Sequence, residues 1–221
     1  MMSRTSVVDY GVGNLRSAQK ALEAAGADRV DVTRDPAVIR GADRVVLPGV
    51  GAYGHCIGAL RETGLEEPVL RAIESGRPFL GICVGMQLLF RQGEEFGVHR
   101  GLGVLPGRVV HFLGAGLEPR AGDGDGGALK VPHMGWSPVQ VRGGDGGAPL
   151  FAGLPAGTHF YFVHSFVAVD VDPSCVAGWA DYGVRFPAAV AWRNVAGTQF
   201  HPEKSQAAGL ALLRNFLAWR P

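Results

Sequence analysis

Three short segments carry residue types that do chemistry together. Cys83 stands between two glycines in Gly81-Ile82-Cys83-Val84-Gly85, after the apolar run Pro78 to Ile82 and before the run Met86 to Phe90. Strand, tight turn, helix is the arrangement that lifts a nucleophile out of a sheet. The turn is strained, so small residues flank it, and the following helix aims its N-terminal amides at the sulfur. Alone, the pattern fits a buried packing cysteine equally well. A thiol also needs a base, and Phe200-His201-Pro202-Glu203-Lys204-Ser205 supplies one. Pro202 favours extended backbone at His201, and residues two apart in extended chain share a face, so the Glu203 carboxylate is placed to orient the imidazole. Alone, His-x-Glu fits an exposed ion pair on a strand end. Thirdly, Pro48-Gly49-Val50-Gly51 follows the run Arg44 to Leu47. A glycine-rich loop at a strand end brings backbone N–H groups close to a developing oxyanion, with Val84 N–H as one donor and Val50 or Gly51 as the other. Alone, that loop is a plain turn. Jointly the three segments describe acyl transfer to a cysteine by a Cys-His-Glu triad.

The elements that position them follow from periodicity. Short β-branched runs alternate with helical stretches in the first half, the pattern of βαβ units feeding a parallel sheet. Strands are expected at Thr5 to Asp9, Arg29 to Thr33, Arg44 to Leu47 and Pro78 to Ile82. One helix is expected over Asn14 to Ala25, capped by Asn14 and ended by Gly26, and another around Pro68 to Glu74. In the second half, Arg108 to Phe112, Pro138 to Arg142, Thr158 to Val163 and Val167 to Val171 read as strands without long helices between them, hence antiparallel additions. A final helix over Gln206 to Trp219 carries Leu210, Leu213 and Leu217 toward the sheet. The expected fold class is α/β: an open, mostly parallel twisted sheet flanked by helices, with antiparallel additions in the second half, forming one domain over 1–221.

Composition closes off several classes of function. The chain of 221 residues is 47% hydrophobic and 19% charged with a net charge of +1, which suits a folded enzyme and gives no footprint for nucleic acid or an anionic membrane. The start shows neither an export pattern nor an apolar run long enough to span a bilayer. Cys56, Cys83 and Cys175 are scattered and odd in number, against a disulfide framework or a structural zinc site, and a reducing cytoplasm is the expected location. Cys56 and Cys175 read as packing residues. The other histidines, His55, His99, His111, His133, His159 and His164, show no metal-ligand spacing and read as structural or surface groups. Arg16 stands where a dinucleotide loop would need its third glycine in Asp9-Tyr10-Gly11-Val12-Gly13-Asn14, so no cofactor and no metal are expected. The Gly/Asp tracts at 121–128 and 143–148 read as surface connections.

PGVG, GICVGMQ and HPEK, in this order, resemble the class I glutamine amidotransferases, and the resemblance covers almost the whole chain. Asp9-Tyr10-Gly11-Val12-Gly13-Asn14-Leu15, Pro132-His133-Met134-Gly135-Trp136 and Tyr161-Phe162-Val163-His164-Ser165 narrow it to the branch that serves imidazole glycerol phosphate synthase. The resemblance implies a thioester mechanism on glutamine, with Cys83 as nucleophile, His201 as acid and base, and Glu203 orienting His201. Gly49, Gln87 and Glu95 fall where that family contacts glutamine. It further implies a (β/α)8-barrel cyclase subunit as heterodimer partner, receiving ammonia and facing Asn14, Trp136, Tyr161 and Lys204. Val84 and Ser137 depart from the leucine and asparagine frequent at their positions, Ser137 with an expected effect at the partner surface. The competing readings are a glutaminase for another synthase, a non-catalytic regulatory subunit, and a cysteine hydrolase that needs no partner.

Overall fold

The computed structural model describes residues 2–113, 130–142 and 149–221; both Gly/Asp tracts, 121–128 and 143–148, lie entirely outside them. A first β-strand, β1 (Arg4–Val8), feeds helix α1 (Leu15–Ala24), and β2 (Arg29–Thr33) returns parallel to β1. Helix α1 buries Ala18, Ala21 and Leu22, a stripe at helical spacing. It stops where Gly26 takes φ +99°, which lets the Ala27 N–H close onto the Leu22 carbonyl at 3.0 Å. Asn14 precedes the helix, but its side chain caps nothing, and its φ/ψ of −85°/62° lie outside the extended region that an N-cap side chain needs. Helix α2 (Pro36–Arg40) begins instead as expected of a capped helix, with Pro36 in its first turn and the Asp35 carboxylate accepting the Ala37 N–H at 2.7 Å.

Strand β3 (Arg44–Gly49) leads into α3 (Tyr53–Glu62) and α4 (Glu66–Glu74), and β4 (Phe79–Cys83) follows. Every residue of β3 and β4 is buried, as strands covered on both faces must be. The helix after β4 is a single turn, α5 (Val84–Gln87), not a helix to Phe90. Leu88, Leu89 and Phe90 are all fully buried, which no one-sided helical stripe allows. The chain instead enters a strand, β5 (Phe90–Gly93), and a short partner, β6 (His99–Arg100).

The second half contributes β7 (Leu105–His111), β8 (His133–Val141), β9 (Thr158–His164), β10 (Phe166–Val169), β11 (Val176–Asp181), β12 (Arg185–Trp192) and β13 (Val195–Thr198). Nine strands form one sheet in the order β2-β1-β3-β4-β13-β12-β11-β8-β9, and four form a second, β10-β7-β5-β6. Pairing is parallel from β2 through β13 and antiparallel from β13 to β9, in line with the expected class. The second sheet and strands β11 to β13 are not apparent from the sequence pattern, because several of these strands are buried along their length rather than alternating. The last helix, α6 (Gln206–Ala218), buries Gly209, Leu212, Leu213 and Phe216, whereas Leu210 and Leu217 sit at its flank.

One consequence of the topology matters most for chemistry. β3, β4 and β13 are adjacent and parallel, so Pro48 to Gly51, Cys83 and His201 emerge together at their C-terminal ends, the edge where open α/β sheets place ligands. Contact there is close. A Cβ on Gly85 would lie 1.8 Å from the Leu47 carbonyl oxygen, and one on Gly81 would lie 2.6 Å from the Gly85 oxygen. Gly58, in α3, faces open space. Gly85→Ala is therefore expected to destabilise the fold by more than about 3 kcal/mol, while Gly58→Ala stabilises it by roughly 0.5–1 kcal/mol. Urea unfolding of the two variants checks both signs.

Candidate active site

Cys83 takes φ +54° and ψ −113° as the last residue of β4 and the residue before α5. Side chains with a Cβ rarely hold such a conformation, which costs on the order of 1–3 kcal/mol and persists only where packing imposes it. Here the packing is on both sides. Gly49 of β3 is in register with Cys83, and a Cβ on Gly49 would meet Gly85 N at 2.7 Å and the Val84 Cβ at 2.9 Å. Gly49 thus seats the elbow against the 48–51 loop and is not among the residues facing the adjoining cavity.

His201 is 1% exposed, and its Nδ1 lies 2.7 Å from Glu203 Oε1. The expected pairing is present, by a different route: His201 is extended, but Pro202–Lys204 is a turn of 3-10 helix that brings the carboxylate back to the ring. His201 Nε2 and Glu203 Oε2 are buried without a hydrogen-bond partner among the described residues. Burial disfavours the imidazolium, yet the Cys83 sulfur and the Glu203 carboxylate outweigh it and raise the His201 pKa to about 10. The segment is anchored from β9: the Tyr161 carbonyl accepts the His201 N–H at 2.9 Å, and the Ser205 hydroxyl accepts the Tyr161 N–H at 3.0 Å.

A cavity of about 280 Å³ opens beside Cys83. Val50, Gly51 and Val84 line it together with Gln87 and Glu95, and Pro132 and residues 163–166 close the far wall. The Val50 and Gly51 N–H groups hydrogen-bond to nothing among the described residues, and Val84 begins α5, so all three are free to serve as donors. The Val50 carbonyl is held by the Cys56 thiol at 3.3 Å and the Pro48 carbonyl by the Tyr10 hydroxyl at 2.8 Å. Cys56 therefore does more than pack. Burial raises its thiol to about 11, which keeps the proton that the Val50 carbonyl accepts. Glu95 accepts the Tyr53 N–H at 2.6 Å at the start of α3, which fixes its carboxylate at the cavity edge.

Gln199 is the site residue that the sequence reading passes over. It is fully buried, its Nε2 donates to the Cys83 sulfur at 3.8 Å, and its Oε1 accepts from Gln87 Nε2 at 3.0 Å. Its one signal in the sequence is proximity: Gln199 lies two residues before His201, in the bend that follows β13. Ser137 departs from expectation too. It is buried and bonded to His133 at 2.8 Å, not displayed on the surface. Trp136, paired with Tyr161 across β8 and β9 with ring centroids 6.0 Å apart, is exposed, as are Met134 and Lys204, while Tyr161 is half-buried. Asn14 is half-buried at the foot of α1. No cluster of metal-ligating side chains occurs among the described residues, and no helix among them is long and apolar enough to cross a membrane.

The family model for class-I glutamine amidotransferases matches residues 6–219. "Imidazole glycerol phosphate synthase subunit HisH" of Syntrophotalea carbinolica is 54% identical over 211 residues, covering 95% of this chain and 97% of the relative. The protein of the same name from Methylococcus capsulatus is 52% identical over 221 residues, covering 100% and 98%. Among solved structures, the PurLQS structure from Thermotoga maritima aligns with a TM-score of 0.70 at 22% identity over 99% of both chains, and a glutamine amidotransferase crystal structure with 0.69 at 22% over 97% of both, likenesses of fold. A nucleophile elbow, a buried His-Glu pair and this full-length similarity lead to one conclusion: the chain belongs to the class-I glutamine amidotransferases and, within them, to the HisH subunits of imidazole glycerol phosphate synthase.

Proposed function

We propose that this chain, acting as a single domain, hydrolyses glutamine to glutamate and ammonia on Cys83 and hands the ammonia to a (β/α)8-barrel cyclase subunit for synthesis of imidazole glycerol phosphate and an aminoimidazole carboxamide nucleotide. The observation that carries the proposal is the His201–Glu203 contact of 2.7 Å with the opposite ring nitrogen left free, next to a cysteine held at positive φ on a cavity wall.

The chemistry follows from the groups present. His201 takes the Cys83 proton, and the sulfur attacks the side-chain amide carbon. The carbonyl oxygen becomes an oxyanion facing the N–H of Val84 and that of Val50 or Gly51. Collapse breaks the C–N bond as His201 returns its proton to the leaving nitrogen, giving ammonia and a thioester. Water, deprotonated by the same imidazole, then attacks the thioester carbon. Glutamate leaves and the thiol is restored. Glu203 holds the ring in the tautomer that leaves Nε2 for this traffic and stabilises the imidazolium. Gln87 and Glu95 line the space the substrate would fill. Ammonia free in water at neutral pH is mostly ammonium and no longer nucleophilic, so direct transfer to a docked partner is required. The exposed Met134 and Trp136, beside Tyr161 and near the catalytic segment that ends in Lys204, supply an apolar surface with a cation for that docking. A cytoplasmic location goes with the proposed reaction and partner, and a regulatory role without catalysis is disfavoured by the complete triad.

Cys83→Ala is expected to abolish glutamine-dependent synthesis by the complex and leave synthesis from ammonium salts intact, whereas Glu203→Gln is slowed but active. Assays of the complex with each nitrogen source decide this, and glutamine turnover by Cys83→Ala would remove the assignment. The chain alone is expected to hydrolyse glutamine about 10²- to 10³-fold more slowly than with the ligand-loaded barrel, the effect of one oxyanion donor, since the glycines on both sides of Val50 let that peptide turn. Full-rate turnover by the isolated chain would favour an independent hydrolase. Because the folded pKa of His201 is raised, its contribution to stability is complete below pH about 6.5 and is lost as pH rises toward about 10. Unfolding at pH 6 and pH 9 should show this loss in the native chain and a smaller one in Glu203→Gln.

A further inference from the structure

Building on that function, we infer that Ser137, His133 and His164 are positioning residues for the glutaminase reaction: a one-way hydrogen-bond chain from β8 that ends on the Phe166 carbonyl and, through it, fixes the Gln87–Gln199 amide pair against the Cys83 sulfur.

The direction of the chain follows from its last member. His164 Nδ1 lies 2.9 Å from the Phe166 carbonyl, which only accepts, so Nδ1 carries the hydrogen. Burial holds the His164 pKa down, to about 3, and the ring is neutral with a lone pair on Nε2. His133 Nδ1, 3.1 Å from that Nε2, must then donate. Burial lowers His133 also, to about 4, so its Nε2 accepts, and the Ser137 hydroxyl at 2.8 Å donates into it. One carbonyl thereby settles two tautomers and one hydroxyl rotor. The His133 ring cannot evade the arrangement by tilting, because it is stacked on Tyr182 at 4.0 Å and on Phe162 at 4.9 Å between centroids.

The same carbonyl settles the other branch. Its second lone pair accepts from Gln87 Nε2 at 3.3 Å, which fixes which end of the Gln87 amide faces it. The other hydrogen of that Nε2 goes to Gln199 Oε1 at 3.0 Å, so Gln199 turns its own Nε2 to the Cys83 sulfur at 3.8 Å. That donor fixes one side of the sulfur. Phe166 lines the cavity beside His164, so the chain holds a substrate-facing wall and the nucleophile's donor in one frame.

Without the Ser137 hydroxyl, His133 Nε2 is a buried acceptor with no donor, while the Phe166 carbonyl still holds His164, and through it His133, in the Nδ1–H tautomers; what is lost is the bond that seats the His133 ring at the head of the chain. The loosened His133 ring then holds His164, and with it the Phe166 carbonyl, less firmly. Nitrogen-15 imidazole spectra of the full-length chain, together with glutamine kinetics of its complex with the barrel, test the idea. The native chain is expected to show Nδ1–H tautomers for His133 and His164. Ser137→Ala is expected to keep the Nδ1–H form at both histidines, to move the His133 Nε2 resonance as its donor is lost, and to lose about tenfold in kcat/KM for glutamine, the effect of one hydrogen bond, with ammonium-dependent synthesis unchanged. Ser137→Thr, which keeps the hydroxyl, should restore both readouts. Nε2–H tautomers in the native chain overturn the inference even where the variants do not fold. So does native turnover by Ser137→Ala, and so does equal loss in Ser137→Thr, which marks a packing effect. A native complex that shows the Nδ1–H tautomers but does not hydrolyse glutamine would refute the function proposed above and leave the chain of hydrogen bonds standing.

Discussion

Everything at the site depends on holding Cys83 at a backbone conformation it would not choose. A side chain at φ +54° and ψ −113° survives because β3 and β13 grip β4 on both edges and because the residues around the turn have no Cβ to obstruct it. Gly85 runs against the Leu47 carbonyl, Gly81 against Gly85, and Gly49 against the Gly85 amide. The strain is thus balanced by the sheet itself. That is why Cys83, the proposed nucleophile, sits in the middle of the parallel strands instead of on a loop with fewer constraints, and why the same contacts bring the 48–51 loop up to the sulfur.

Polar groups around the elbow are arranged under a second constraint: almost none of them meets water. Gln87, Gln199, His133, His164 and His201 are all nearly buried, and each must find partners inside the protein. Most do, through amides and neutral imidazoles whose orientations are mutually fixed. The exceptions are informative. His201 Nε2 and Glu203 Oε2 stay unpartnered in the core of the site, and the Val50 and Gly51 N–H groups stay free at its edge. Arg44 Nε, Tyr53 Oη and Thr198 Oγ1 are also unpartnered among the described residues, but the His201 Nε2 and the Val50 and Gly51 N–H groups are the vacant positions that the proposed reaction would use.

Much of this was legible in the sequence because the elbow and the His-Pro-Glu segment are local. Glycines bracket Cys83 whatever the rest of the fold does, and Pro202 keeps His201 extended. Parallel strands β1 to β4 and helices α1 and α6 likewise announce themselves by short-range periodicity and by Gly26. Burial removes periodicity elsewhere: Leu88 to Phe90 look helical yet enter a strand, and β11 to β13 show no strand pattern because the buried face is not one face. Ser137 and Gln199 carry no motif of their own, so their partners decide what they do.

Sequence by itself therefore determined which residues are candidates for the chemistry and what roles are proposed for them, since a nucleophile, a base and an orienting acid are specified by residue type and by spacings of a few positions. Tertiary structure alone decided that these segments meet. Residues 48–51, 83 and 201 are far apart along the chain and become neighbours only because β13 inserts beside β4, the strand order at which parallel pairing gives way to antiparallel. It also decided the directions of the hydrogen bonds behind Cys83. A donor or acceptor role in a buried imidazole or amide is set by the nearest group that can play only one part, and here that group is the carbonyl of Phe166, 83 positions beyond the nucleophile.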